Sequence, residues 1–313
     1  MAETLKNQGF CVHVYDYLDT KIDQAINFDL FIGHNKTFNE ISLKLNKQCK
    51  KILLTTGSSP FYDNEMLASR QNYVQTLMGT KEKFYTPMED IAYVPKNIEV
   101  ADAFFMIGNK YISDTWNIPD HKHITHFSNV NNINFRIKQH RTNNFIYLSS
   151  VGQLRRGLDL ILTVFSKRPE RIYICGDYKG PLFDEFQDKI KNSPNIRLMG
   201  YVDQTSDGFQ KMVDDADFAI LPSCSEGQSG SVLTLMSHGL VPVITEAAGF
   251  TDFKKYSVAI TDYTIQEVES AVERCVKMKE QELFEKRKYL LSLQTEHTQE
   301  KFIERFTEAI NTV

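Results

Sequence analysis

Glu226 is the one acid in a loop that has the makings of an anion site. The stretch Leu221–Thr245 reads LPSCSEGQSGSVLTLMSHGLVPVIT. Its pattern predicts a strand end, a Gly/Ser-rich loop, an amphipathic helix and a second strand. Gly227, Gln228, Ser229 and Gly230 precede the helix and Ser231 opens it. Glycine lets backbone come close to a ligand. A helix N-terminus presents free N–H groups and a dipole that suit a phosphate. A carboxylate accepts hydrogen bonds from sugar hydroxyls. An acid beside an anion site points to a nucleotide-sugar. The plainer alternative is an acid favoured by the helix dipole alone, next to an ordinary turn.

Arg155 and Arg156 are the second chemical signal. They lie between Gly152 and Gly157, where a strand gives way to a helix. A guanidinium forks well onto phosphate oxygens. An Arg pair elsewhere would read as a solvated turn; this placement favours a phosphate role. Asn64, Glu65 and Arg70 open a helix after Pro60. Capping and a first-turn acid account for the first two, and Arg70 is a candidate for acceptor or donor contact. No Ser/His/Asp triad, paired-carboxylate hydrolase pattern or P-loop is present.

These residues need a scaffold, and the apolar pattern supplies an α/β one. Short apolar runs at Cys11–Tyr15, Leu30–Ile32, Lys51–Leu54, Ala103–Ile107 and Ile124–Phe127 predict buried strands, with helices at Phe38–Gln48 and Glu65–Met78. Asn129–Asn144 is polar and aperiodic and reads as a linker. A second series follows, with strands at Phe145–Leu148, Arg171–Cys175, Ile196–Met199, Phe218–Leu221, Val241–Ile244 and Val258–Ile260. Its helices fall at Leu158–Phe165, Leu182–Lys191, Gly208–Asp214, Ser231–His238 and Ile265–Met278. Two more helices are expected at about 281–293 and 300–309, the last with Phe302, Ile303, Phe306 and Ile310 on one face. Alternation of this kind predicts parallel sheets, with a ligand at the carboxyl ends of the strands.

Composition bounds the function. The 313 residues suffice for about two domains. A net charge of −4 predicts no bulk attraction to nucleic acid. The five cysteines are scattered, without a CxxC pair or a Cys/His cluster, which argues against structural zinc and for a reducing compartment. No run reaches the roughly 18 apolar residues of a membrane span, and MAETLKNQGF does not read as a signal peptide. A cytoplasmic location is expected. Lys44, Lys47, Lys50 and Lys51 read as a solvated helix face, with peripheral contact at the inner face of a membrane as the alternative.

From Phe145 to Ile260 the sequence resembles the nucleotide-sugar-binding domain of GT-B fold glycosyltransferases of the retaining family 4 (group 1). Phe145–Phe165, FIYLSSVGQLRRGLDLILTVF, is similar to its first strand, phosphate loop and helix. Ile172–Asp177, IYICGD, is similar to its second strand and Gly turn. Asn195–Val202, NIRLMGYV, is similar to the strand and loop that flank the base. Asp217–Glu226, DFAILPSCSE, with Gly239–Thr245, GLVPVIT, is similar to the donor-site signature. Ser59–Arg70 and Ala101–Asn109 resemble the acceptor domain with less specific motifs.

The resemblance implies two Rossmann-like domains facing across a cleft. Residues 1–135 would form the acceptor side, 136–295 the nucleotide-sugar side, and 296–313 a C-terminal helix packing back on the first domain. It implies a metal-independent retaining transferase without a cofactor. The donor would be a nucleotide-sugar, UDP-linked on family frequency, and the acceptor a glycan, a lipid-linked sugar or a protein. Glu226 and Arg156 would carry the chemistry. Gly152, Arg155 and Gly227–Ser231 would hold the phosphates, and Gly200, Tyr201 and Val202 the base.

Four departures stand out. The family carries two acids seven residues apart, and Thr234 takes the place of the second, which usually holds the ribose. Gln153 replaces the first phosphate-loop Arg. Thr55, Thr56, Gly108 and Asn109 stand at the strand ends where a His is often offered to the donor sugar. Met1–Gln8 reads as the end of the first helix, so the opening strand of the acceptor domain is expected to be missing from the sheet. A degenerate nucleotide-sugar-binding protein or scaffold is therefore the alternative to an enzyme, with sugar-nucleotide epimerisation a third reading.

Overall fold

The computed structural model describes residues 1–23, 26–131, 135–149, 152–176 and 178–313. Asn132–Asn134 of the expected linker, Ser150 and Val151 of the expected phosphate loop, and Asp177 of the expected Gly turn lie outside the described residues. The first half runs α1 (Ala2–Asn7), β1 (Leu30–Gly33), α2 (Thr37–Ser42), β2 (Lys50–Thr55), α3 (Pro60–Met78), α4 (Tyr93–Val100), β3 (Ala103–Ile107), α5 (Lys110–Asp114) and β4 (His123–Phe127). The second runs β5 (Phe145–Leu148), α6 (Leu158–Phe165), β6 (Ile172–Cys175), α7 (Pro181–Asp184), α8 (Gln187–Lys191), β7 (Ile196–Gly200), α9 (Asp207–Asp214) and β8 (Phe218–Leu221). It ends with α10 (Gly230–Ser237), β9 (Val241–Ile244), β10 (Val258–Ala259), α11 (Ile265–Lys277), α12 (Glu280–Ser292) and α13 (Gln299–Thr312).

Two parallel sheets result. The first has the order β1-β2-β3-β4 and the second β10-β9-β8-β5-β6-β7. Both are covered on two faces, as parallel sheets must be. In β3, Ala103 and Phe105 pack with Leu5, Phe306 and Ala309, whereas Phe104 and Met106 pack with Phe38, Val94 and Trp116. In β5, Phe145 and Tyr147 face the larger core and Ile146 the smaller one with Phe209 and Leu235. The second sheet reverses its order between β5 and β8. That reversal opens a crevice at the carboxyl ends of the two strands.

Helix α3 departs from a simple two-domain division. It follows β2 of the first sheet, yet its Leu67 and Val74 are buried in the same cluster as Leu158, Ile161 and Val164 of the second. The Tyr73 hydroxyl accepts the Ile265 amide at 3.0 Å. Helix α13 makes the return crossing. Phe306 is fully buried against Phe105 and Phe127, with Phe302 stacked beside it.

Several expected elements change. Cys11–Tyr15 is not a strand. A cavity of about 570 Å³ separates it from β1, so it has no ladder to join. Among the described residues β1 pairs with β2 alone, and α1 stands where the end of a first helix was read. The helix expected to reach Gln48 stops at Ser42. The Asn46 side chain accepts the Gln48 and Cys49 amides and donates to Phe28, which turns the chain out of the helix. The four lysines therefore do not share a helix face: Lys44 pairs with Glu40, and Lys51 donates to Cys49 from β2. Leu182–Lys191 is split into α7 and α8 around the fully buried Phe186. Ile303 is exposed, because the buried stripe of α13 runs through Phe302, Phe306 and Ala309.

No helix is long and apolar enough to cross a membrane among the described residues. Phe306→Ala should lower unfolding stability by ~3–5 kcal/mol, the usual cost of emptying an aromatic core site; denaturant titration measures it.

Candidate functional site

The crevice between β5 and β8 is built by glycines. After β5 the chain turns through Gly152, whose carbonyl accepts the Arg156 amide at 3.0 Å. Gly157 then starts α6 with φ +69°, and a Cβ there would lie 2.7 Å from Pro222 at the end of β8. Only glycine meets both conditions. This close approach aligns Arg156 with the loop after β8.

Arg156 and Glu226 meet there in a bidentate ion pair. Nε donates to Oε2 at 2.9 Å and Nη2 to Oε1 at 3.2 Å. Nη1 donates to the Ser149 hydroxyl at the end of β5, at 3.1 Å. The two side chains are only 19% and 15% exposed, so the charges are largely withdrawn from solvent. Burial pushes the nearby Tyr147 phenol upward, leaving it neutral. Burial likewise holds the Cys224 thiol at about 12, too high for a thiolate nucleophile near neutral pH.

The first half of the chain seats directly on this loop. The Ser58 amide and hydroxyl both donate to the Glu226 carbonyl, at 3.0 and 2.9 Å. A Cβ on Gly227 would fall 2.0 Å from the Thr56 carbonyl oxygen. Asn109 donates to the Phe250 carbonyl while capping α5 through Ile112. The segments that follow β2 and β3 thus contact loops of the second half. The 570 Å³ cavity is elsewhere, at the outer edge of β1, and contributes nothing to this chemistry.

The remaining candidates separate into those near the pair and those engaged elsewhere. Gly227 to Ser231 lead from Glu226 into α10. The Ser229 amide is taken by Ala248, at 3.1 Å. The Gly230 and Ser231 amides lie at the α10 N-terminus and have no intrahelical acceptor. The Gln228 side chain accepts the Asn129 amide, and its carbonyl accepts the Asn129 side chain. Thr234 donates back to the Gly230 carbonyl of its own helix at 3.1 Å.

Arg155 points away from Arg156 and pairs with Asp63 of α3 at 2.5 Å. Arg70 is buried against Asp159 of α6, also at 2.5 Å, and donates to the Tyr263 carbonyl. Its side chain is only 2% exposed. Asn64 bonds both backbone groups of Met88, a purely local role, and Glu65 is exposed. The Gly200 carbonyl accepts the Gly176 amide, Tyr201 is 92% exposed, and Val202 packs on the smaller core.

Sequence reasoning did not find Ser149, Ser58, Asp63 or Asp159. Asp63 and Asp159 each lie a few residues from an arginine, but nothing local pairs them across the two halves. Among the described residues no group of three His, Cys, Asp or Glu side chains could hold a metal ion.

The chain resembles known proteins at this point. Residues 142–278 match the family model described as Glycosyl transferases group 1. TarM, known from S. aureus, aligns at TM-score 0.63 and 15% identity, over 90% of this chain and 54% of its own. At 15% identity the likeness to TarM concerns the fold. The chain has the GT-B fold. The GT-B arrangement is shared with the pneumococcal O-GlcNAc transferase GtfA in complex with UDP and GlcNAc (TM-score 0.61, 12% identity, 92% of this chain and 58% of GtfA). It is shared also with the lipopolysaccharide outer core galactosyltransferase WaaB (0.65, 13%, 92% and 76%). This chain spans about half the length of TarM. No curated protein matches the sequence.

Two outcomes test the geometry. Asp159→Ala should destabilise the protein by ~3–5 kcal/mol by stranding the Arg70 charge, whereas Arg70→Met with Asp159→Leu should recover most of that loss. Denaturant unfolding of the three proteins measures both effects. Gly227→Ala should force the Thr56–Ser58 loop off Glu226, seen as faster amide hydrogen exchange at Ser58.

Proposed function

We propose that this GT-B chain transfers a sugar from a nucleotide-sugar to an acceptor, with retention of configuration. The observation that carries this reading is the Arg156–Glu226 pair at the order reversal of the second sheet, inside the segment matched to group 1 glycosyl transferases. In this reading Arg156 leaves Glu226 and stabilises the charge that builds on the departing diphosphate. The Gly230 and Ser231 amides add their dipoles to the distal phosphate. Glu226 accepts hydrogen bonds from the donor sugar hydroxyls.

Among the described residues, no acid of the first half bonds to the Arg156–Glu226 pair, which suits a front-face reaction in which the leaving phosphate takes the acceptor proton. UDP is the preferred nucleotide, supported by the TarM and GtfA structures with UDP. The acceptor is a glycan, a lipid-linked sugar or a protein, with peripheral membrane contact if it is lipid-linked.

A second reading, a binding protein without transfer, is favoured by Thr234. Its hydroxyl is spent on its own helix and cannot replace a carboxylate on the ribose.

Calorimetric titration with UDP, GDP and their sugars tests the donor site, and donor hydrolysis without acceptor separates enzyme from binder. Binding of one nucleotide-sugar, lost in Glu226→Ala, is expected. Thr234→Glu should preserve or tighten nucleotide binding. Absence of binding by a protein that melts cooperatively would sink the reading.

A further inference from the structure

Arg156 and Glu226 neutralise each other in their ion pair, and this has a consequence for which ligands enter. The guanidinium edge formed by Nε and Nη2 is occupied by both carboxylate oxygens, at 2.9 and 3.2 Å. That planar edge is the same one a phosphate would use. Nη1 is engaged by Ser149. The Glu226 backbone is held by Ser58, so the loop carrying the carboxylate is anchored. Glu226 therefore stands on Arg156 as a built-in substitute for a phosphate.

A bare nucleoside diphosphate that takes Arg156 must displace this carboxylate. Glu226 would then be a largely buried anion without its cation, beside a second anion. Both conditions are unfavourable. A nucleotide-sugar changes the balance. Its phosphate takes Arg156, and its sugar hydroxyls donate to Glu226, so both charges regain partners.

We infer that the Arg156–Glu226 pair selects sugar-bearing nucleotides over the bare diphosphate, and promotes release of the diphosphate once the sugar has left. The inference rests on the donor-site reading above. It makes Glu226 a specificity-determining residue in addition to a sugar ligand. Ser58 is a positioning residue, because it acts on the ligand only through Glu226.

The test is Glu226→Gln, which removes the charge but keeps an oxygen for sugar hydroxyls. Wild type and variant are titrated calorimetrically with UDP, UDP-glucose, UDP-GlcNAc, GDP and GDP-mannose, after thermal unfolding confirms a cooperative fold. In the variant the bare diphosphate of the preferred base should bind at least about tenfold tighter, the factor that about 1.4 kcal/mol represents. Its nucleotide-sugar should bind no tighter than to wild type. Glu226→Ala provides a second comparison, with the same gain for the bare diphosphate and a larger loss for the sugar form. Equal shifts of both ligands in one direction would overturn the inference while leaving the donor site standing. Failure of folded wild type to bind any of the five would overturn the donor site and the inference together.

Discussion

The Arg70–Asp159 pair fixes how the two sheets meet. Both side chains are almost wholly buried, one on α3 and the other on α6. Each leaves one polar atom without a protein partner, Arg70 Nε and Asp159 Oδ1. A pair of this kind adds little stability over an apolar contact of the same size. It is demanding in geometry, however, because neither charge tolerates losing the other. Helix α3 is held in one orientation against the second core, and the chain just before it, Thr56–Ser59, is carried over Glu226. The loop carrying Glu226 is thus positioned from a distance by a buried pair on α3 and α6.

Much of the framework was written in local pattern. Phe145–Leu148, Leu158–Phe165, Phe218–Leu221 and Val241–Ile244 fold within the limits that apolar runs and glycine punctuation imply. Their alternation records two buried faces, which the sequence displays residue by residue. Cys11–Tyr15 has the same local character and is no strand, because strand formation needs a neighbour that periodicity does not reveal. The end of α2 at Ser42 depends on one side chain, Asn46, competing for backbone amides.

The Arg156–Glu226 pairing of the candidate site was legible in part. Glu226 and Arg156 stood out because glycines and predicted element ends framed them. Adjacent Arg155 looked equivalent, yet a one-residue step around the turn sends it to Asp63 in another part of the chain. The Gln228 side chain bonds the Asn129 amide and the Ser229 amide bonds the Ala248 carbonyl. Long-range partners decide such cases, and spacing along the chain carries no information about them.

Among the described residues, the outer side of β1 looks onto a cavity and pairs with no further strand. Across that space lies a chain segment with Phe10, Val14, Tyr15, Tyr17 and Leu18 all substantially exposed. An unpaired edge bordered by apolar side chains is a template for pairing between molecules.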